Sequence, residues 1–393
     1  MNKQNKWNWV GFIASYPPRE CGIATFTKDI ATAINKKFNP NLHSKIIAIN
    51  ENGSSVYNYS KDVIFQIDET ELESYYKAAD FINNSKIIKI INIQHEFGIF
   101  GGEYGDYIIP FLEMIKKPIV TTFHSVTDNP PQHKREIVRA ICKHSKAVIV
   151  TINKAKEILE KEYGIDKDKI NIIQHGIHPV PFVNSSKTKE LFGLKNKIIL
   201  STFGLLESRK SLEYVIDALP TIIKKYPNVI YTIIGETHPQ ARLKEGEKYR
   251  NKLKRKVKKL GLNKYVKFYN KYLTLKEVIK YLEATDIHIT PYIDRKQISS
   301  GVLAYAFGCG RVCISTPYDY ATDLLSNNRG FLVDFKDSKA IAEKVIHVLD
   351  NPGLKKAMEK KAYEYSRFMT WPNVAERYLE VFNKVLKNFK STI

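Results

Sequence analysis

Trp9-Val10-Gly11-Phe12-Ile13-Ala14-Ser15-Tyr16-Pro17-Pro18-Arg19-Glu20-Cys21-Gly22-Ile23-Ala24 runs from an apolar stretch, through a loop of small residues, into a helical pattern. Trp9–Ala14 predicts a strand and Ala24–Lys36 a helix. At such a helix start the unpaired backbone N–H groups and the helix dipole point at the loop, which makes it an anion site. Gly22 serves equally as a plain turn residue. With one glycine instead of G-x-G-x-x-G, the dehydrogenase fingerprint is absent.

The same alternation continues outward. Ile46–Ile49, Val63–Ile67, Lys86–Gln94, Ile119–Phe123, Ala147–Thr151 and Ile170–Ile173 read as strands with helices between them. Near-continuous apolar strands alternating with helices indicate a parallel sheet covered on both faces. From His178 to Asn196 the pattern lapses around Pro179, Pro181, Ser185 and Ser186, which marks an interdomain connection. A second series follows at Ile198–Phe203, Val229–Gly235, Val266–Tyr269, Ile287–Tyr292, Val312–Thr316 and Phe331–Val333, and Leu243–Leu260 reads as one long basic helix. The fold class is therefore α/β, with two Rossmann-like domains facing a central cleft. The first spans residues 1–180 and the second 181–370. In such sheets ligands bind at the carboxyl ends of the strands.

Length agrees with two domains: 393 residues, at roughly 100–200 residues per domain. Lys and Arg number 62 against 41 Asp and Glu, a formal charge of +21 that attracts anions. The partners that fit are phosphate-bearing substrates, an anionic membrane face or nucleic acid. A lysine-rich composition throughout the chain explains the same number without any partner. Nucleic acid is not expected, because Leu243–Leu260 carries only Tyr249 among its charges and lacks interleaved aromatics. The four cysteines, Cys21, Cys142, Cys309 and Cys313, form no Cys-x-x-Cys pair, so no metal is expected. The polar Met1–Asn8 is no secretory signal and no run is long enough to span a bilayer, so the reading is cytoplasmic, with peripheral contact at the inner membrane face left open.

Chemistry-bearing residues gather where the strands end. Gln94-His95-Glu96-Phe97-Gly98-Ile99-Phe100-Gly101-Gly102 closes one strand, and Thr121-Thr122-Phe123-His124-Ser125 closes the next. A carboxylate and imidazoles there can bind hydroxyls or a departing phosphate. His175 and His178 lie near the domain connection. In Gly204-Leu205-Leu206-Glu207-Ser208-Arg209-Lys210, two cations at a predicted helix start oppose the dipole, which makes sense if an anion sits there. Ser299-Ser300-Gly301 suits a helix cap, and its N–H groups can also cradle a diphosphate.

Taken together, these motifs resemble family 4 glycosyltransferases of the GT-B fold, over nearly the whole chain. Gly22 resembles the family's glycine loop, and His124 falls where the family has a cleft histidine near the transferred sugar. Gly176 resembles the turn that closes the first domain, and Lys210 matches the lysine on the donor phosphates. Thr370-Trp371-Pro372-Asn373-Val374-Ala375-Glu376-Arg377-Tyr378 resembles the last helix, 371–393, which returns to complete the first domain. Two departures stand out. Leu205 occupies the position of an arginine that many relatives carry, and Gln297 and Tyr305 replace two glutamates eight positions apart.

The resemblance implies a retaining, metal-independent hexosyl transfer from a nucleoside-diphosphate sugar to a glycan or lipid-linked acceptor, with no other cofactor. It implies catalytic roles for His124, Lys210 and Glu96. Donor contacts would come from Gly22, Gly204, Arg209, Lys210, Gln297, Ser299, Ser300, Gly301 and Tyr305. Acceptor contacts would come from Arg19, His95, Gly101 and Gly102. The loss of the glutamate pair keeps a second reading open, a catalytically silent sugar-nucleotide or glycan-binding protein. A phosphorylase or epimerase on the same scaffold is a third.

Overall fold

The computed structural model describes residues 9–38, 43–51 and 57–390. In the first unit, seven strands form one sheet: β1 (Trp9–Ala14), β2 (Ser44–Asn50), β3 (Val63–Asp68), β4 (Ile88–His95), β5 (Ile119–Phe123), β6 (Ser145–Val150) and β7 (Ile170–Ile172). All pairs are parallel, in the order β3-β2-β1-β4-β5-β6-β7. The order reverses between β1 and β4, so the loops after these two strands leave a crevice. Their apolar runs are buried because helices cover both faces, and β1 is enclosed from Val10 to Ala14.

The second unit repeats the plan with β8 (Ile198–Phe203), β9 (Val229–Ile234), β10 (Val266–Tyr269), β11 (Ile287–Thr290), β12 (Val312–Ser315) and β13 (Phe331–Leu332). Its order is β10-β9-β8-β11-β12-β13, again parallel, with the reversal between β8 and β11. Leu200, Ile216, Leu219, Tyr231, Ile287, Val312 and Val345 belong to its core.

The chain crosses between units at Gly176/Ile177 and returns at Phe368/Met369, slightly earlier than the 180/181 and 370/371 boundaries drawn from the sequence. The reason is local packing. A Cβ on Gly176 would lie 2.2 Å from the Trp371 ring, inside the first unit, whereas Ile177 lies against Gly308 in the second. The helix Trp371–Lys390 belongs to the first unit and buries Trp371, Val374, Ala375, Tyr378, Leu379, Phe382 and Val385 beside Phe26, Ile30 and Ile34 of the helix Gly22–Lys37. Spacings of three and four make that buried stripe, and each large apolar side chain contributes about 1.5–3 kcal/mol.

Two local expectations are corrected. Leu243–Leu260 is two helices, Pro239–Glu245 and Lys248–Lys259, because Gly246 breaks the helix at φ 59°. The connection after His178 is not structureless: Asn184 Oδ1 accepts from Ser186 N at 3.0 Å and caps a short helix, Ser185–Glu190. Among the described residues, no helix is long and apolar enough to cross a membrane.

Candidate functional site

In the second unit, β8 ends at Phe203 and the chain turns through Gly204 at φ 108°. Arg209 and Lys210 do not open the following helix. They sit in a separate 3-10 turn, Ser208–Lys210, and Ser211 at φ 51° redirects the chain before the helix Glu213–Lys225. This turn separates the two side chains. Lys210 points inward, 9% exposed, with Nζ donating to the Tyr292 hydroxyl at 3.2 Å and lying 4.8 Å from the centre of that ring. No carboxylate lies within ion-pair distance of it among the described residues. Burial pulls its pKa down to about 8, partly offset by Glu207. Arg209 points outward, its side chain 58% exposed, held by Glu207 at 2.7 Å and Asp294 at 3.7 Å.

Glycines create the space around Lys210. A Cβ on Gly204 would lie 2.9 Å from Val302 Cγ2 and 3.1 Å from Lys210 Nζ, so the ammonium sits beside the start of the helix Gly301–Gly308. A Cβ on Gly235, after β9, would fall 2.3 Å from the Gly204 carbonyl oxygen. Ser300 caps the helix Gly301–Gly308, its Oγ accepting from Leu303 N at 3.3 Å. Ser299 precedes it, and its carbonyl accepts from Gln297 Nε2 at 2.8 Å. Tyr305 stacks on His178 at 6.0 Å with the rings 10° apart. Lys210, Gly204, Ser300 and Gly301 are thus brought to one edge of the sheet, while Gln297 and Tyr305 are engaged by neighbours of their own.

In the first unit, His124 follows β5 and is 6% exposed. Gln94 Nε2 donates to Asn92 Oδ1 at 2.5 Å, which leaves Gln94 Oε1 facing His124 Nε2 at 2.7 Å. The imidazole therefore carries its proton on Nε2, and Nδ1 holds the lone pair. Asn92 donates in turn to the Val120 carbonyl and to Thr122, whose hydroxyl meets Tyr378 OH at 3.1 Å. Phe26 stands edge-on to the His124 ring at 4.7 Å. Burial, then the neighbouring His175 and His95, push the His124 pKa down to about 3. Glu96 Oε1 accepts from Phe97 N at 3.1 Å and from Ser125 Oγ at 2.7 Å, tying the loops after β4 and β5 together.

The remaining sequence candidates are placed differently. His95 is fully buried among Phe97, Phe100 and Phe123, and neither ring nitrogen has a hydrogen-bond partner among the described residues. Burial lowers its pKa to about 3. Successive strand residues point to opposite faces, so Gln94 reaches His124 and His95 turns into this aromatic cage. Arg19 is 8% exposed and engages Glu69 at 3.1 Å, Glu51 at 3.6 Å and the Ile49 carbonyl at 3.2 Å. Gly101 and Gly102 are glycines for packing, since a Cβ would strike the Glu69 carbonyl at 1.7 Å or Asp106 at 1.8 Å. Gly22 is the opposite case: a Cβ there would meet nothing within 4 Å, and Cys21 caps its helix through a 3.3 Å bond from Ala24 N. Sequence reasoning quoted Gln94, Tyr292 and Gly235 without assigning them a part in the site. The signal was their position, each at or just beyond a strand's carboxyl end. Among the described residues, no group of three or more His, Cys, Asp and Glu is placed to hold a metal ion.

Comparison with known proteins bears on both units. Residues 184–365 match the family model described as glycosyl transferases group 1, and residues 104–180 match glycosyltransferase family 4. The chain is 25% identical over 221 residues to UDP-Gal:alpha-D-GlcNAc-diphosphoundecaprenol alpha-1,3-galactosyltransferase of Escherichia coli, covering 54% of this chain and 51% of that protein. It is 21% identical over 266 residues to D-inositol 3-phosphate glycosyltransferase of Corynebacterium urealyticum, covering 64% and 61%. The match thus spans between half and two-thirds of the length of these curated relatives. Anabaena HepE, crystallised in complex with UDP and glucose, superposes with a TM-score of 0.76 at 14% identity, over 96% of this chain and 100% of that one. Both glycosyltransferase family models thus match in order along two parallel doubly wound sheets, and the chain is similar to the family 4 glycosyltransferases and shares the GT-B fold of the solved structures.

Proposed function

We propose that the chain transfers a hexosyl group from a nucleoside-diphosphate sugar to a glycan or lipid-linked acceptor, with retention of anomeric configuration. One observation carries this reading. Among the described residues, the buried Lys210 ammonium has a neutral tyrosine hydroxyl as its hydrogen-bond partner and no carboxylate in ion-pair contact, beside Gly204 and a capped helix start. A desolvated cation that nearby Glu207 offsets only in part is unfavourable by itself and is resolved by an anionic ligand. A diphosphate meets that demand.

In this scheme the bond between the sugar's anomeric carbon and the phosphate oxygen breaks while the acceptor oxygen attacks from the same face. The acceptor's proton passes to the leaving phosphate oxygen. Lys210, Ser300 and the N–H groups at Gly301 stabilise charge as it develops on the leaving group, so the step is written without a metal ion. Gly204 leaves room for the phosphates, and the open space at Gly22 lets a ligand approach the helix start in the first unit. His124, held neutral, accepts a hydrogen bond from a sugar hydroxyl through Nδ1, and Glu96 fixes the loop that carries it. Because the Escherichia coli relative is named for UDP-Gal and Anabaena HepE was crystallised in complex with UDP and glucose, a UDP-hexose is the first donor to test. The lipid-linked acceptor draws support from the Escherichia coli relative's substrate and from the exposed Lys254, Arg255, Lys258 and Lys259 on the helix Lys248–Lys259. Such an acceptor places the reaction at the cytoplasmic face of an anionic membrane.

The test is ligand-observed NMR with UDP-, GDP- and ADP-sugars, following nucleotide release in the same tubes. The reading expects one donor to bind selectively and to be slowly hydrolysed. It also expects Lys210→Ala to reduce turnover by about a hundredfold or more, with the fold retained. Full activity in Lys210→Ala sinks the donor assignment. Binding without release supports the silent-binder reading, which Gln297 favours because its amide donates to Ser299 and brings no charge.

A further inference from the structure

Tyr104 follows Gly101-Gly102-Glu103 in the loop after β4 and adopts φ 54°, ψ 22°. Side chains other than glycine and asparagine rarely adopt this left-handed conformation, because Cβ crowds the backbone. Of the seven non-glycine residues with positive φ among those described, four are asparagine, and Tyr104 is the one aromatic. Burial does not offset the strain, since Tyr104 is 39% exposed. A glycine or asparagine would meet the backbone demand at lower cost, so the turn by itself does not account for the ring.

The surroundings indicate what it meets. The His133 ring lies 6.2 Å from the Tyr104 ring with the planes 51° apart. His133 Nε2 is 3.1 Å from Asp106 Oδ2, and both side chains reach solvent, 41% and 29% exposed. Gly102 leaves the room in which that carboxylate sits. Lys134 Nζ is 3.9 Å from the centre of the Phe97 ring and 5.8 Å from that of Tyr104, and Phe97 borders the His95 cage beside Glu96. An exposed aromatic face flanked by a carboxylate, an imidazole and an ammonium matches a pyranose ring. Its C–H face packs on the aromatic and its hydroxyls meet the polar groups.

We infer that Tyr104, with Asp106, His133 and Lys134, forms a saccharide subsite that holds a pyranose ring of the acceptor. This rests on the glycosyl-transfer reading above and moves acceptor recognition from Arg19 and His95, which are engaged within the fold, to the loop's outer face. Asp106 and His133 set which hydroxyl configuration fits.

The experiment is saturation-transfer NMR on the full chain with methyl α- and β-glycosides of glucose, galactose, mannose and N-acetylglucosamine, and with UDP-glucose in the same tubes. At least one glycoside should bind the wild type with its ring C–H protons most saturated. Tyr104→Phe keeps the stacking face and should stay close to wild type. Tyr104→Gly relieves the backbone, so its thermal midpoint should hold or rise while glycoside binding weakens roughly tenfold. The inference is overturned if the wild type binds none of the glycosides, if Tyr104→Gly binds as the wild type does, or if that variant loses stability together with binding. Absent UDP-glucose signals beside intact glycoside binding would instead count against the proposed donor.

Discussion

The Lys210 ammonium shows how one residue's burial sets a pH dependence. Its pKa of about 8 means that in the free protein the group is charged below that pH and increasingly neutral above it. A bound diphosphate favours the charged form and raises the pKa again. Donor affinity should therefore be flat from pH 6 to 7.5 and fall by about tenfold per unit above 8, until the ordinary lysine value is reached. Titration calorimetry with a nucleotide sugar measures this directly, and constant affinity up to pH 10 would contradict it. His124 predicts the opposite behaviour. With its pKa held at about 3 by burial it stays neutral throughout pH 5–8, so turnover should show no inflection near 6.5 that disappears in His124→Ala. The pH–rate profiles of the two proteins decide the point. At this scale the sequence was half legible. It located residues at strand ends but could not show which of Gln94 and His95 faces His124, since one residue of register reverses the face. Nor could it show that Arg19 is engaged by Glu51 and Glu69, which are 32 and 50 residues away in the chain.

At the scale of elements, the loops after β8 and β9 come together beside Lys210 because Gly204 and Gly235 let their backbones touch. Gly235→Ala adds a Cβ 2.3 Å from the Gly204 carbonyl at φ 133°. We expect a loss of about 2–3 kcal/mol, read as a lower urea midpoint for the second unit, together with weaker donor binding as Gly204 is displaced against Lys210. Unchanged stability would mean that the two turns are not in contact. Strands were the most readable elements: Trp9–Ala14, Ile119–Phe123, Ile198–Phe203 and Val266–Tyr269 agree with the structure at both ends, because buried parallel strands are written as unbroken apolar runs. The break at Gly246 was missed because charged residues continue on both sides of it, and only the glycine marks the stop. The helix Ser185–Glu190 has too few residues to display a period.

For the whole molecule, the charge of +21 leads to a prediction about surfaces. On the helix Lys248–Lys259 the inward side chains Leu253 and Val257 fix it to the core, and Lys254, Arg255, Lys258 and Lys259 face solvent. Co-sedimentation with vesicles rich in anionic lipid should be strong at low salt and fall steeply toward physiological ionic strength, where screening acts over about 8 Å. Replacing these four residues by glutamine should remove most of the binding. Equal binding to neutral vesicles, or no effect of the replacement, would tie the charge to composition alone.

The return of the chain to its first unit also bears on how the protein is made. Residues 177–368 form a continuous stretch that can fold as soon as it has left the ribosome, but the earlier unit still lacks Trp371, Tyr378 and Phe382 at that moment. The apolar side of the helix Gly22–Lys37 stays uncovered until that last helix is synthesised, so the part translated first is completed last. During this interval Phe26, Ile30 and Ile34 are open to chaperones or to aggregation. A released chain that ends at Phe368 should therefore show a second unit that resists protease while the first is digested.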